Sequence, residues 1–198
     1  VKMDFAEGIR SMMRQDPDII LVGEVRDQET AEMAFRAAMT GHQVFSTLHT
    51  NSAIRSIPRL VDLGIKPEVL AGNVIGIIAQ RLLRTLCKAC KAPHDPSPIE
   101  LQLLGLQPGQ PHTLYRPVGC KECEHLGYKG RISVLELLKF DGELDELVTQ
   151  RASLKVLTDY VRSNGFVTMA EDGLRRVREG LTTVEEVGRV ADLTELID

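Results

Sequence analysis

The fold is decided by residues 19–27, which run IILVGEVRD. Four consecutive apolar residues follow the turn signal Asp16-Pro17, and a short run of this kind predicts a buried strand of a parallel sheet. Gly23 ends the strand, and Asp27 is placed to cap a helix that runs to about Thr40. The stretch therefore predicts one strand and one crossover helix of an α/β layer.

The neighbouring segments continue this α/β pattern. Apolar residues at helical spacing over 5–13 predict an amphipathic helix before the strand. Residues 44–48 predict a second short strand, and 52–63 predict a helix in which Pro58 is an anomaly. The almost wholly apolar stretch 69–83 predicts a buried helix. Alternation of strands and helices predicts an α/β fold with a mostly parallel sheet.

The character of the sequence changes at Leu86. Residues 87–131 hold six of the nine prolines and all four cysteines, which predicts a loop-rich insert that a metal organises. Residues 132–138 predict a return strand. Three helical stretches follow, and two of them begin at capping boxes, Thr168-x-x-Glu171 and Thr183-x-x-Glu186. The chain is therefore divided into a core (1–86), a cysteine-rich subdomain (87–131) and a return strand with a helical subdomain (132–198).

The composition excludes several classes of protein. The 198 residues carry a net charge of −4, so no basic field points to nucleic acid or anionic lipid. Aromatic residues make up 4% and Trp is absent, which disfavours stacking platforms for single strands. No apolar run approaches the ~18–20 residues needed to span a bilayer. The start does not resemble a signal peptide, because charged residues interrupt it at once.

The four cysteines form two pairs, Cys87-x-x-Cys90 and Cys120-x-x-Cys123, with 29 residues between them. A two-residue gap lets both thiolates of a pair face one ion, and two pairs complete a tetrahedral shell that favours structural Zn²⁺. Disulfides would need an oxidising compartment, and a catalytic zinc would need an open ligand position. Three nearby histidines are expected to be solvated loop residues rather than ligands: His94, His112 and His125.

An acid at the end of an apolar strand is how P-loop NTPases place a carboxylate beside Mg²⁺ and the attacking water. Glu24 fits that position. Other polar residues lie near it in the sequence, at the ends of two neighbouring predicted strands. Such strand ends are where α/β sheets bind ligands. Arg10 and Arg14 are spaced i,i+4 on the preceding helix. The candidate ligand site comprises six residues: Glu24, His42, His49, Arg10, Arg14 and Arg26.

Together these motifs resemble one family, the type II secretion and type IV pilus assembly ATPases, which are hexameric RecA-like P-loop motors. Residues 14–27 resemble the Walker B region of that family, and residues 40–42 and 46–51 resemble its His box. Residues 79–82, the cysteine pairs and residues 127–131 extend the resemblance over nearly the whole chain. The fold it implies is the C-terminal part of a RecA-like core, with a tetracysteine zinc subdomain and a helical C-terminal subdomain.

The resemblance implies that the catalytic residues are Glu24, His42 and His49, and that nucleotide is bound by Arg10, Arg14 and Arg26. Glu24 would be the Walker B acid that acts on Mg²⁺ or its water. His42 and His49 would sense the γ-phosphate, and Arg10 and Arg14 would contact nucleotide across a subunit interface. The full-length protein would be a cytoplasmic homo-hexamer. Its cofactors would be ATP and Mg²⁺. It would be peripheral to the inner membrane through platform and cytoplasmic adaptor proteins, with no direct contact to nucleic acid.

One departure from the family is the absence of a phosphate-binding loop, since no G-x-x-x-x-G-K-[ST] occurs in these residues. The sequence begins with Val1, so we expect it to be a fragment of a longer protein that does not hydrolyse ATP alone. Alternatives are a zinc-dependent adaptor that hydrolyses nothing, a DNA-uptake ATPase, and a pilus retraction ATPase. Retraction relatives generally lack the tetracysteine module.

Overall fold

The computed structural model describes residues 4–109 and 112–196. Its strands are Ile19–Val22 (β1), Gln43–Ser46 (β2), Gly76–Leu86 (β3), Ala92–His94 (β4), Leu114–Arg116 (β5) and Tyr128–Lys139 (β6). Its α-helices are Phe5–Met12 (α1), Gln28–Met39 (α2), Ser56–Asp62 (α3), Pro67–Leu70 (α4), Pro98–Leu104 (α5), Gly142–Thr149 (α6), Leu154–Ser163 (α7), Met169–Arg178 (α8) and Val184–Gly188 (α9). Short 3₁₀ turns occupy Lys121–Cys123 and Thr194–Leu196.

The predicted strand–helix–strand unit is confirmed at the start of the chain. β1 and β2 pair in parallel, with Ile19 opposite Gln43 and Val22 opposite Ser46. α2 connects them, and its first turn is capped by Asp27, whose Oδ1 accepts from the Thr30 N–H at 2.8 Å. The core under this sheet is formed by apolar residues from α1, β1 and α2: Ala6, Ile9, Ile20, Val22, Met33 and Ala37.

The apolar run predicted that β1 would be buried on both faces, but the structure shows burial on one face. Ile20 and Val22 are buried, whereas Ile19 and Leu21 are 63% and 73% exposed. Alternate side chains of a strand point to opposite faces, and in the described part of the chain only one face of β1 is covered to this degree. The sheet therefore presents an exposed apolar face.

The helix predicted over 69–83 is wrong. Only Pro67–Leu70 is helical there, and the chain then enters β3 at Gly76. An apolar run has no period that separates a buried helix from a strand. Pairing with the distant strand β6 decides the outcome, because it satisfies the backbone of β3.

Pro58 fits its helix without loss. α3 begins at Ser56 rather than at residue 52, which places Pro58 in its first turn. Backbone N–H groups in the first turn have no intrahelical acceptor, so the missing donor of proline removes no hydrogen bond there.

The cysteine-rich region has more regular structure than a loop-rich insert. β4 and β5 pair antiparallel, with His94 opposite Leu114. α5 begins at a full capping box in which Ser97 and Glu100 bind each other's backbone. His94 was expected to be solvated, but its side chain is 26% exposed and its Nε2 lies 3.1 Å from Glu100 Oε1.

The C-terminal residues form four α-helices rather than three helical stretches. The capping box at Thr168 is confirmed, with Glu171 binding back to the Thr168 N–H. Thr183 caps α9 through the Glu186 N–H, but the Glu186 carboxylate binds Arg84 and Arg189 instead. No helix in the described ranges is long and apolar enough to cross a membrane.

By packing, the chain forms two compact units. The first comprises Val1–Ala79 with Leu137–Phe166, and the second comprises Gln80–Glu136 with Val167–Asp198. The division at 86 and 131 that the sequence indicates follows motifs rather than packing, and it stays a prediction.

Candidate functional site at the ends of β1 and β2

Glu24 lies two residues past the end of β1 and is the centre of a small charged cluster. Its Oε2 is 2.5 Å from Arg26 Nε and 3.4 Å from His49 Nε2. The Glu24 side chain is 20% exposed, whereas Arg26 and His49 are 69% and 80% exposed. The structure therefore brings together three of the predicted site residues, with the carboxylate inside and the two basic groups facing solvent.

The backbone around Glu24 is bound to the end of β2. The hydroxyl of Thr47 donates to the carbonyl of Gly23 at 2.7 Å. The N–H of Val25 donates to the carbonyl of Thr47 at 3.0 Å. The sequence pattern around the histidines did not single out Thr47, because its part depends on the parallel pairing of the two strands.

His42 lies at the opposite end of the sheet. It precedes β2, whose first residue pairs with the first residue of β1. A four-residue strand, roughly 13 Å long, separates this position from the end where Glu24 lies. His42 Nδ1 is 3.0 Å from both Ala37 O and Thr40 Oγ1, so the ring is hydrogen-bonded to the C-terminal end of α2.

The two arginines predicted on one helix face are placed differently. Arg10 is on α1, with Nη2 3.7 Å from Glu29 Oε1 and 4.0 Å from Met33 Sδ. Arg14 lies in the turn after α1, which ends at Met12. The i,i+4 argument for a shared helix face is therefore wrong for Arg14.

An open groove of about 570 Å³ lies between α1, the end of β1 and the start of α2. It is lined mostly by apolar and backbone atoms, and its charged residues are all acids: Asp4, Asp27 and Glu29. Among the described residues that line it there is no lysine or arginine. The groove therefore lacks the cationic and glycine-loop donors that hold a triphosphate.

A candidate metal centre in the second unit

The four cysteines come together as the spacing predicted. Their Sγ atoms all lie within 4.8 Å of one another. The distances are 3.9 Å from Cys87 to Cys120, 3.8 Å from Cys90 to Cys123 and 3.8 Å from Cys120 to Cys123. A tetrahedron with Zn–S bonds of about 2.3 Å has edges of about 3.8 Å. The sulfur arrangement therefore fits one tetrahedral ion.

Backbone N–H groups point at the sulfurs. Cys123 Sγ accepts from the N–H groups of Cys120 and Gly127, both at 3.2 Å, and Cys90 Sγ accepts from Gly119 N–H at 3.3 Å. Burial works against ionisation of Cys123, but these N–H groups lower its pKa to about 6. Burial raises the pKa of Cys90 to about 11. A cation at the centre would favour all four thiolates.

Comparison with known proteins

The chain has an α/β core with an acid at the end of its first strand, and a tetracysteine cluster in its second unit. The sequence profile described as Type II/IV secretion system protein matches residues 1–189. The chain belongs to this family, which confirms the resemblance and the α/β fold class.

Two named relatives are closely similar to this chain. The type II secretion system protein E of Pseudomonas aeruginosa is 50% identical over 190 residues, which cover 96% of this chain and 38% of that protein. The type IV pilus assembly ATPase TfpB of Acinetobacter baylyi is 46% identical over 196 residues, which cover 98% of this chain and 34% of that protein. The chain thus spans little more than a third of the length of these relatives.

Solved structures support the same fold. The pilus retraction motor PilT with bound ADP matches with a TM-score of 0.68 and 30% identity, over 96% of this chain and 44% of that one. The ATPase DotB of Legionella pneumophila matches with a TM-score of 0.63 over 94% of this chain and 42% of that one, and at 22% identity it shows the fold alone.

Proposed function

We propose that the protein containing these residues is an ATPase that drives type II secretion or type IV pilus assembly. The observation that carries the proposal is the Glu24 carboxylate at the end of β1, with His49 at 3.4 Å, in a member of this family. Glu24 acts on Mg²⁺ or on the attacking water, and His49 responds to the γ-phosphate. The phosphate-binding loop comes from outside these 198 residues.

The basic residues have distinct parts in this proposal. Arg26 lies close to Glu24. In the proposed mechanism its guanidinium leaves that carboxylate and binds a nucleotide phosphate instead. Arg10 and Arg14 are exposed and reach nucleotide held by a neighbouring subunit of a homo-hexamer. His42 couples α2 to the sheet, because its ring binds the last turn of that helix. It acts on nucleotide through that helix or across the subunit interface.

The tetracysteine cluster binds one structural Zn²⁺ in this proposal. The support is the tetrahedral fit of the four Sγ atoms and the preference of Zn²⁺ for thiolates. Such a site adds folding free energy to a region whose own core is small. The whole protein is cytoplasmic and binds the inner membrane through platform and adaptor proteins.

The test is turnover of the whole protein with Glu24→Gln. We expect kcat to fall by about 10²-fold or more, as for loss of a key transition-state group, with nucleotide affinity largely kept. Glu32→Gln is the matched control, because Glu32 is exposed on α2 and its side chain accepts a local hydrogen bond from Gln28 at 2.8 Å. Full turnover in Glu24→Gln would reject the assignment. Absence of hydrolysis in the wild type would favour the non-hydrolytic adaptor.

Pilus retraction is a second candidate, favoured by the structural similarity to a retraction motor. The cysteine cluster argues for assembly instead. Complementation separates the two functions: the gene should restore secretion or pilus extension to a strain that lacks the assembly ATPase. Rescue of a retraction-deficient strain alone would favour the second candidate.

A further inference from the structure

The residue that fixes the backbone of Glu24 is Thr47. Its hydroxyl binds the carbonyl of the residue before Glu24, and its carbonyl binds the N–H of the residue after it. Both bonds lie beyond the β1–β2 ladder, which ends at Val22 and Ser46. Thr47 thus continues the strand pairing across the segment that carries the acid.

Other restraints on Glu24 are weaker. Gly23, the residue before the acid, has no side chain that could restrain the backbone by packing. The ionic partners Arg26 and His49 are mostly exposed, and exposed ion pairs contribute little because water and salt screen them. Two hydrogen bonds to the main chain of a strand end are the firmer constraint on where the carboxylate lies.

The segment after Thr47 is also anchored at its far end. Thr50 Oγ1 lies 2.9 Å from Ser56 Oγ and donates to Ser52 O at 3.1 Å. Ser56 is the first residue of α3 and is 1% exposed. His49 lies in the sequence between these two anchored residues, Thr47 and Thr50.

We propose that Thr47 is a positioning residue for turnover, which holds the backbone on both sides of Glu24 and thereby the position of its carboxylate. This inference rests on the proposed role of Glu24. It predicts a loss in kcat rather than in KM, because an acid that is misplaced by a fraction of an ångström still leaves substrate binding intact.

The test compares three variants of the whole protein. Thr47→Val keeps the shape but removes the hydroxyl donor, and we expect kcat to fall about 10-fold with KM changed less than about twofold. Thr47→Ser restores the donor and should keep kcat within about twofold of wild type. Thr149→Val is the control, since Thr149 is an exposed threonine on α6 whose hydroxyl also donates to a carbonyl, that of Asp145, at 2.9 Å.

A double-mutant cycle separates positioning from folding. If Thr47 acts through Glu24, Thr47→Val should have less than about a twofold effect in the Glu24→Gln background. Equal effects in both backgrounds, or wild-type kcat in Thr47→Val, would overturn the inference while the role of Glu24 stands. Full turnover in Glu24→Gln would reject both. Should Thr47→Val not fold, Thr47→Ala replaces it, and failure of both to fold would make Thr47 a structural residue only.

Discussion

Glu186 and Arg84, which are 102 positions apart, are joined by two hydrogen bonds. Arg84 Nη2 donates to Glu186 Oε1 at 2.5 Å, and the Arg84 backbone N–H donates to Glu186 Oε2 at 3.1 Å. The Glu186 side chain is 2% exposed and also accepts from Arg189. The Thr182 hydroxyl bonds the Arg84 carbonyl at 2.8 Å, so the start of α9 is tied to β3.

Removing the Glu186 charge should destabilise the second unit. We expect Glu186→Gln to lower the free energy of unfolding by about 2–3 kcal/mol, because buried charge-assisted hydrogen bonds are lost. Urea unfolding followed by tyrosine fluorescence measures this, since Tyr115 and Tyr128 belong to that unit. Glu179→Gln is the control: its partners Arg175 and Arg176 form exposed pairs that contribute below about 1 kcal/mol. Equal losses in the two variants would contradict the prediction.

The same carboxylate makes stability depend on pH. Burial alone would raise the pKa of Glu186, but hydrogen bonds from Arg84 and Arg189 lower it from 4.5 to about 2. A lowered folded-state pKa stabilises the fold above pH 4.5, and this contribution, on the order of 3 kcal/mol, is lost as the pH falls toward 2. The difference in stability between wild type and Glu186→Gln should shrink over that interval. A constant difference from pH 5 to pH 2 would show that Glu186 does not titrate as described.

One zinc ion per chain should be found by metal analysis. Cys120→Ser removes one of four thiolates and should abolish stoichiometric binding and raise hydrogen exchange over residues 87–131. His125→Asn is the control, because His125 is exposed, lies next to the cluster and has a φ of 63° that asparagine tolerates. It should keep its zinc. A Cys87–Cys90 disulfide without metal would refute the site.

The polypeptide of these 198 residues should neither bind ATP–Mg²⁺ below millimolar concentration nor hydrolyse it. Each missing charge-assisted hydrogen bond is worth about 1.5–3 kcal/mol, so the loss of several removes orders of magnitude in affinity. Calorimetric titration with a non-hydrolysable ATP analogue tests this. Micromolar affinity would mean that the phosphate site lies within these residues.

The same polypeptide should self-associate through the exposed face of β1 and β2. Leu21 and Phe45 are 73% and 52% exposed there, and the two-stranded sheet has open edges in the part that the structure describes. Leu21→Lys with Phe45→Lys should shift light scattering toward the monomer. Val167→Lys, at a residue that is 52% exposed in the second unit, should not. A monomeric wild type would contradict this prediction.

The sequence alone determined the local features of this protein. Asp27 and Thr168 indicated where two helices begin, because a helix cap is a contact between residues three positions apart. The paired cysteine spacing indicated a single metal centre, because each pair is a local turn. Glu24 could be predicted as a strand-end acid for the same reason, because the pattern is local: a short apolar run followed closely by an acidic residue.

Only the tertiary structure decided what depends on partners far along the chain. Residues 76–86 became a strand because β6 satisfies their backbone, which no local period encodes. Parallel pairing of β1 with β2 placed Thr47 against Glu24 and put His42 at the other end of the sheet. The sequence predicted that the Glu186 carboxylate would complete a capping box with Thr183. In the structure it binds Arg84 instead, because a buried charge binds its strongest available donors.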